Sequence, residues 1–395
     1  MEMAELVALL TPDGLRLLDE TSATADVAHE VSRLRAAGHS PELVSAVVGQ
    51  ARLRARARAK FGDFAGGMLF TASGLEQATR LPVAALHARR FRDAGLARVA
   101  DLGCGIGGDA MGFSGVGLDV LAVDADEVTA AMAAYNLAPF RPGAQVRHAR
   151  AEDVDLTGWD AVWLDPARRT AGHTETTRLT RSEDYSPALE WAFGLSAERP
   201  LGIKLGPGFD RSAVPDEAEA QWVSVDGSVV ELALWFGALA RPGVRRAALV
   251  VRGDEAAELT AADDAPDAEP RELGAFIHEP DGSVIRARLI GEVGRALDAG
   301  MLSPGIAYLT GDAALTSPFV SSFRVREVLP SDVKALAKEL RQRGIGTLEI
   351  KKRGVDVDPA ALRKRLALRG PGQATLILTR IGDRRLTVLA DRVPR

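Results

Sequence analysis

The stretch "VADLGCGIGGDAMGF", residues Val99 to Phe113, decides the fold because an apolar run leads into a glycine-rich turn and then into helix-forming residues. Gly103, Gly105 and Gly108 have the G-x-G-x-x-G spacing of a dinucleotide site. Glycines let a backbone approach a ligand closely, and the N-terminus of the following helix presents unpaired N–H groups. The stretch therefore predicts the first strand and the first ligand loop of a Rossmann-like sheet.

A carboxylate lies on each side of this loop. Asp101 lies two residues before Gly103, and Asp109 lies at the start of the predicted helix. In a nicotinamide or flavin enzyme the loop meets a pyrophosphate, which two nearby carboxylates would repel at short range and low dielectric. The pair suits a cation instead. S-adenosylmethionine carries an ammonium and a sulfonium and no phosphate, so it fits this charge.

Acidic residues also follow the next two predicted strands. The second predicted strand ends at Asp124 in "LAVDAD", 21 residues after Gly103, where a carboxylate can take both ribose hydroxyls, although dinucleotide binders place an acid similarly. Asp153, or Glu152, in "ARAED" could take the adenine amino group. An acid after each of three successive strands favours S-adenosylmethionine over a dinucleotide. A glycine turn with helix-capping acids and no ligand is the third interpretation.

The composition is that of a globular protein, with 395 residues, 46% hydrophobic and 26% charged. Residues 1–85 are predicted to form a helical N-terminal domain. Residues 86–255 contain seven apolar runs separated by helical stretches, which predicts an α/β, Rossmann-like, doubly wound, seven-stranded sheet. The acidic stretch "DEAAELTAADDAPDAEPRE" is interpreted as a linker or exposed loop, and residues 271–395 as a small α+β domain.

Several classes of protein are excluded or disfavoured. The longest apolar runs are too short for a membrane span, and the N-terminus is acidic without a basic leader, so we expect a cytoplasmic protein. The single cysteine, Cys104, allows no internal disulfide, and the six histidines show no ligand spacing, so no metal is expected. Cys104 is interpreted as a small spacer in the turn, because no histidine nearby in sequence would activate a catalytic thiol.

The charge is distributed unevenly along the chain. Residues 331–395 carry a net charge of +9, against −14 for residues 1–330, which indicates either a polyanionic partner or an ordinary basic surface. The N-terminal "ARLRARARAKF" is either a solvated helix or a phosphate contact. Its basic residues fall on two helical faces: Arg52, Arg56 and Lys60 on one, and Arg54 and Arg58 on the other.

The fourth apolar run ends in "WLDPARRT", at the sheet edge where open α/β folds place their chemistry. Asp165, stiffened by Pro166, could accept hydrogen bonds from an exocyclic amine and orient its nitrogen toward a methyl donor. Both are the candidate catalytic residues. Methyl transfer is an in-line displacement on an activated sulfonium, so position and desolvation matter more than strong acid–base chemistry, and no metal is needed.

Many amino methyltransferases that act on nucleic acids have D-P-P or N-P-P followed by an aromatic residue, whereas this chain has Ala167 and Arg168. A base amine is thereby less favoured as the acceptor, but stacking could come from Trp163, Phe209 or Tyr185.

Three basic residues near the same edge are candidate substrate contacts. Arg168 and Arg169 could hold a substrate phosphate, or could pair with Asp184 or Glu183. Lys204, in "GIKLGPGFD", is predicted to face the same cleft.

With these motifs placed, the chain resembles the bacterial class I methyltransferases with a C-terminal THUMP-like domain, relatives of the trimethylguanosine synthase group. The "DLGCGIGGD" motif is specific only to the superfamily, whereas "EQAT", "DPARR" and the tail point to this subgroup. The motifs that carry the resemblance are "GLEQATRLPVAALHARRF", "DLGCGIGGDA", "VDADEVTAAMAAYNL", "LDPARR", "IKLGPGFD", "HEPDGSVIRARL" and "LEIKKRGVDVDPAALRKRL" followed by "TLILTR".

The resemblance implies an RNA substrate, a tRNA or an rRNA, which the THUMP-like tail binds largely through the RNA phosphates. It also implies that Glu76 and Gln77, or the adjacent Ala78 and Thr79, close over the cofactor. A methyltransferase for a protein or small molecule, and an RNA-binding protein without catalysis, remain alternatives. The tail candidates for RNA contact are Lys351, Lys352, Arg353, Arg363, Lys364 and Arg365. The expected cofactor residues are Asp101, Gly103, Gly105, Gly107, Asp109, Asp124, Asp153 and Gln77.

Overall fold

The computed structural model describes residues 1–21, 26–168 and 184–394. The chain divides into two compact units, and each contributes its own core. The first unit comprises Met1–Leu205, Phe209–Ala213 and Leu234–Ala240, and the second comprises Gly206–Gly208, Val214–Ala233 and Arg241–Arg395.

The first unit begins with helices, as the sequence predicts. The Ser40 hydroxyl caps the longest of them, and Pro41 takes its first position, where a missing N–H costs nothing. That helix ends at Gly62, whose φ of 57° is one that residues with a side chain rarely adopt. The helices before the sheet are α1 (Met3–Leu9), α2 (Pro12–Glu20), α3 (Val27–Ala36), α4 (Pro41–Phe61), α5 (Ala72–Gln77) and α6 (Leu81–Asp93).

A parallel sheet follows, with the strand order β7-β4-β1-β2-β3. The chain runs outward from β1 to β3 and then returns to the other side of β1, so the strand order reverses between β1 and β4. Ligands bind at such a switch point in open α/β sheets. The elements are β1 (Arg98–Leu102), α7 (Gly108–Gly115), β2 (Asp119–Asp124), α8 (Glu127–Asn136), β3 (Ala144–His148), β4 (Ala161–Leu164), β5 (Ala167–Arg168), β6 (Tyr185–Ser186), α9 (Leu189–Gly194) and β7 (Leu201–Leu205).

An aromatic cluster packs α6 and α7 onto this sheet. The rings of His87 and Trp163 are 4.6 Å apart, and Phe91, Phe113 and Trp235 complete the cluster with edge-on or tilted contacts. All five side chains are buried. Such contacts add to the energy of apolar burial and fix the orientation of both helices above the strands.

The seven expected strands of residues 86–255 all form, and up to residue 261 the structure describes four more: the two-residue strands β5 and β6, and two longer strands. One of them, Glu219–Val225, was hidden by its polar residues, of which Glu219 pairs with Arg241. The other, Glu255–Ala261, overturns the linker interpretation for those residues, because it pairs antiparallel with the preceding strand as a half-exposed edge. The strands are β8 (Glu219–Val225), β9 (Ser228–Phe236), β10 (Arg246–Arg252) and β11 (Glu255–Ala261).

The rest of the second unit is the predicted α+β fold. Its sheet has the order β13-β14-β12-β15-β18-β17-β16. The Asp358 side chain caps the helix that begins at Pro359, as the Asp-Pro pair predicts. The elements are β12 (Phe276–Pro280), α10 (Gly282–Arg286), α11 (Ile290–Ala296), β13 (Gly300–Ser303), β14 (Ile306–Gly311), β15 (Val320–Leu329), α12 (Val333–Gln342), β16 (Ile345–Lys352), α13 (Pro359–Leu366), β17 (Gly372–Ile381) and β18 (Arg384–Arg392).

None of the described helices combines the length and apolar character needed to cross a bilayer. The described part of the chain contains no group of three or more His, Cys, Asp or Glu side chains placed to hold a metal ion.

Candidate active site

The glycine loop after β1 has a backbone that requires glycine. Gly103, Gly105 and Gly107 have φ values of 83°, 55° and 88°. The Gly103 N–H donates to the Val123 carbonyl at 2.8 Å, and a Cβ at Gly103 would lie 2.6 Å from the Asp165 carbonyl oxygen. The loop is therefore held closely between the ends of β2 and β4.

We expect Gly103→Ala to weaken S-adenosylmethionine binding by at least about tenfold, because both its positive φ and its contact with the Asp165 backbone resist a methyl group. Isothermal titration calorimetry measures the affinity. Gly115→Ala, in the last position of α7 with open space around its Cβ, is the matched control and should bind normally. Equal affinities in the two variants would contradict a close-fitting loop.

Asp101 is a buried carboxylate whose charge the described residues do not neutralise. It is 1% exposed, and neither of its oxygens accepts a hydrogen bond within the described part of the chain. Burial, followed by the charge of Asp109, raises the pKa of Asp101 well above its usual range. An uncompensated buried carboxylate is costly unless a ligand supplies a positive charge or a donor. The two positive groups of S-adenosylmethionine fit this need.

Asp124 ends β2 beside the same loop. One of its oxygens accepts the Gly105 N–H at 2.9 Å, and the other accepts the Asp126 N–H at 2.9 Å. Each oxygen keeps a further lone pair, which could accept a ribose hydroxyl. Burial raises the pKa of Asp124.

After β3, the exposed Asp153 lies in a short 3₁₀ turn, while its neighbour Glu152 pairs with Arg150 at 2.9 Å. Asp153 is therefore the freer of the two candidates for the adenine amino group. The three predicted acids thus lie on adjacent strands or directly after them, and their contact with the cofactor stays a prediction.

Asp109 is placed differently from the sequence expectation. Its oxygens accept hydrogen bonds from Thr79 Oγ1 at 2.7 Å and pair with His87 Nδ1 at 3.1 Å, and Lys204 Nζ lies 3.5 Å away. Burial alone would raise the pKa of Asp109, but the Lys204 charge and the bonds from His87 and Thr79 outweigh it and hold the pKa below its usual range. Asp109 thus anchors α6, α7 and β7 to each other.

Lys204, expected to contact substrate, lies inside the site with its ammonium already engaged. It is 8% exposed, pairs with Asp165 Oδ2 at 2.6 Å and donates to Thr79 Oγ1 at 2.8 Å. The Asp165 side chain is one-third exposed, and its backbone N–H donates to the Leu102 carbonyl. Lys204 therefore positions the Asp165 carboxylate, while the outer face of that carboxylate stays accessible.

The segment that the "EQAT" motif marks lies against the glycine loop. A Cβ at Gly74 would lie 2.7 Å from Ile106 Cγ2, and one at Gly108 would lie 3.7 Å from Ala78 Cβ. Lys60 Nζ holds the segment by donating to the carbonyls of Glu76 at 2.6 Å and Ala78 at 2.7 Å. Burial lowers the pKa of Lys60 to about 8. The sequence grouped Lys60 with the arginines of α4, whereas its ammonium serves this segment.

Gln77 ends α5 and is exposed. Its contact with the cofactor stays a prediction.

Two buried amides were missed by the sequence reasoning. Asn136 at the end of α8 donates to the carbonyls of Leu69 at 3.0 Å and Ile106 at 2.9 Å, and Gln50 exchanges two hydrogen bonds with the backbone of Phe70. They connect the chain before α5 to α4 and to the glycine loop. The sequence signal that could have identified Asn136 and Gln50 is a polar residue on an otherwise apolar helix face.

On the substrate side, the proposed stacking residues are not exposed. Trp163 is 0% exposed in the aromatic cluster, and Tyr185 and Phe209 pack against each other at 1% and 6% exposure. The prediction that one of these three residues stacks on a substrate base is therefore wrong, because their ring faces are buried against other apolar side chains. Arg168 pairs through its backbone with Tyr185, while its side chain and residues 169–183, which include Arg169 and Glu183, lie outside the described residues.

The tail candidates divide into two groups. Lys351 pairs with Glu279 at 2.8 Å, and Arg353 lies over the Tyr308 ring; both line a polar cavity of about 580 Å³ within the second unit. The exposed members are Lys352, Arg363, Lys364 and Arg365. The second group lies on the exposed surface, with Arg363 also donating to the Leu348 carbonyl at 3.4 Å.

Cys104 is buried, and burial raises the pKa of its thiol well above the usual value. A buried neutral thiol is a poor nucleophile, which agrees with its interpretation as a spacer.

Two family models match separate parts of the chain, and relatives match most of it. A family described as THUMP domain-like matches residues 320–392, and a domain of unknown function (DUF8688) matches residues 2–57. An uncharacterized S-adenosylmethionine-dependent methyltransferase of Mycobacterium tuberculosis strain H37Rv is 35% identical over 359 residues, covering 89% of this chain and 95% of the relative. The protein of strain CDC 1551 matches to the same extent.

Among solved structures, a Porphyromonas gingivalis W83 protein described as a methyltransferase has the same fold. Its crystal structure gives a TM-score of 0.75 at 20% identity, covering 97% of this chain and 98% of that one. The likeness extends over both units.

Proposed function

The chain belongs to the S-adenosylmethionine-dependent methyltransferases, and we propose that it methylates a base of tRNA or rRNA. The observation that carries the RNA substrate is the THUMP domain-like match at residues 320–392, within a tail whose net charge is +9 over residues 331–395. Exposed lysines and arginines of this kind supply the sequence-independent part of RNA binding.

In the proposed mechanism, Asp165 accepts hydrogen bonds from the amine that receives the methyl group. S-adenosylmethionine, when bound, supplies that group already activated on a sulfonium. Lys204 fixes the Asp165 carboxylate from the interior side, and Pro166 restricts the backbone that follows it. The nitrogen lone pair is thereby aimed at the methyl carbon, and positioning of this kind can supply much of the rate acceleration.

Water must also be kept from the reacting atoms. The Asp109 cluster closes the interior side of the site, because its three partners Thr79, His87 and Lys204 are all buried. We propose that Asp101, Asp124 and Asp153 hold the ammonium, ribose and adenine of the cofactor, with the loop glycines and Gln77 around them.

The expected result of the deciding experiment is transfer of labelled methyl from S-adenosylmethionine to total RNA from a strain that lacks the gene. Digestion and nucleoside mass spectrometry should then find the label in one modified nucleoside. Asp165→Ala is the negative control, because it should bind cofactor but transfer very little label.

Label in protein or small molecules instead would overturn the RNA substrate while keeping the enzyme class. No label in any fraction, with cofactor binding intact, would favour an RNA-binding protein without catalysis.

A further inference from the structure

The solvent side of α4 carries arginines without acidic partners. Arg52 and Arg56 are exposed, and neither forms an ion pair with any residue of 1–21, 26–168 or 184–394. Arg80, whose guanidinium donates to the Ala59 carbonyl at 2.9 Å, likewise pairs with no acid of those ranges. By contrast, Arg54 on another face pairs with Asp19. We call Arg52, Arg56 and Arg80 the α4 basic strip.

The strip leads toward the proposed catalytic carboxylate. Arg52, Arg56 and Lys60 are successive i, i+4 neighbours, so their side chains lie about 6 Å apart along the helix. Lys60 holds the Ala78 carbonyl, one residue before Thr79, and Thr79 accepts a hydrogen bond from Lys204, which pairs with Asp165. Positive charge thus continues from the exposed helix face to the interior of the site within the first unit.

Some arginines of this unit, among them Arg16, Arg33, Arg54 and Arg150, have carboxylate partners, whereas Arg52 and Arg56 have none among the described residues. A row of arginines that no acid neutralises attracts a polyanion, and guanidinium groups suit phosphate oxygens in particular.

We propose that the α4 basic strip binds the phosphate backbone of the RNA next to the target nucleotide, independently of the THUMP-like tail. This inference rests on the proposed RNA substrate. A domain family of unknown function matches residues 2–57. The proposal assigns substrate binding to this helical N-terminal segment. Glycine at position 49, which is exposed on the same side of α4, leaves room for a strand to approach.

The test is the double variant Arg52→Gln and Arg56→Gln, which keeps side-chain length and helix propensity. We expect about a tenfold higher KM for the RNA fraction that accepts label, with kcat and S-adenosylmethionine affinity unchanged. The slope of log affinity against log salt concentration should fall in magnitude by about 1.4, because two contacts to single-stranded phosphates are lost.

The matched control is Arg35→Gln with Arg58→Gln. Both arginines are exposed helix residues off the strip, and the pair removes the same charge. Its KM and salt slope should equal those of the wild type. If both double variants behave alike while the wild type methylates RNA, the strip is not a binding surface. If no RNA fraction accepts label from the wild type, the proposed function fails first.

Discussion

Asp165→Ala is expected to lower kcat for methyl transfer by about 10³-fold while the affinity for S-adenosylmethionine stays the same. The carboxylate is one-third exposed, with Lys204 Nζ 2.6 Å from one oxygen, so it is fixed in place and still reachable by a substrate. Its removal takes away the acceptor that orients the amine, but none of the groups proposed to bind cofactor. Single-turnover rates and calorimetric titration measure the two quantities separately.

Asp165→Asn separates two roles of this carboxylate. Asparagine keeps an acceptor oxygen for the amine but cannot form the ion pair with Lys204. If hydrogen bonding to the substrate dominates, the asparagine variant should retain clearly more activity than the alanine variant. Glu127→Gln, at an exposed carboxylate at the start of α8, is the control and should be fully active. Undiminished turnover in Asp165→Ala would place the chemistry elsewhere.

The sequence predicted the parallel sheet and its glycine loop well, because both depend on local patterns. An apolar run, a glycine turn and a helix follow each other within "VADLGCGIGGDAMGF", and the positive φ angles of Gly103, Gly105 and Gly107 agree with that prediction. The tail was predicted for the same reason, since Asp358 and Pro359 mark a helix start without any tertiary information.

The partners of the charged side chains could not be predicted. Lys204 and Asp109 are 95 residues apart in sequence and only 3.5 Å apart in space, and no periodicity encodes such a contact. The sequence therefore placed both at a ligand surface, where isolated charges usually lie. The buried Thr79 and His87 make the interior location of Asp109 possible. The α4 basic strip is the reverse case, because local helix periodicity does align Arg52 with Arg56.

The second large effect is expected for Asp101→Asn, which should weaken S-adenosylmethionine binding by about 3 kcal/mol, or about 100-fold in Kd. The buried carboxylate has no partner among the described residues, so the cofactor's positive charge is its expected counterpart. Asp119→Asn, at the opposite, exposed end of the neighbouring strand β2, is the control and should bind normally.

The same substitution should stabilise the free protein, with a pH dependence whose sign follows from the raised pKa of Asp101. A carboxyl with a raised folded-state pKa holds its proton in the folded protein after the unfolded chain has lost it. The stability it contributes is therefore complete below its unfolded pKa and is lost as the pH rises through the folded pKa. Thermal unfolding of the free wild type should show this loss, and Asp101→Asn should not.

Cofactor binding should show the opposite trend in the wild type, because a positive ligand favours the ionised Asp101 and must displace its proton. Affinity should therefore increase as the pH rises through the folded pKa, with proton release detectable by calorimetry in buffers of different ionisation enthalpy. An Asp101→Asn variant that binds as tightly as the wild type, or that melts at a lower temperature at neutral pH, would contradict the assignment. The two pH trends together require that the negative charge of Asp101 destabilise the free protein and that the positive cofactor compensate this charge in the complex. An aspartate with a purely structural role would not produce both trends.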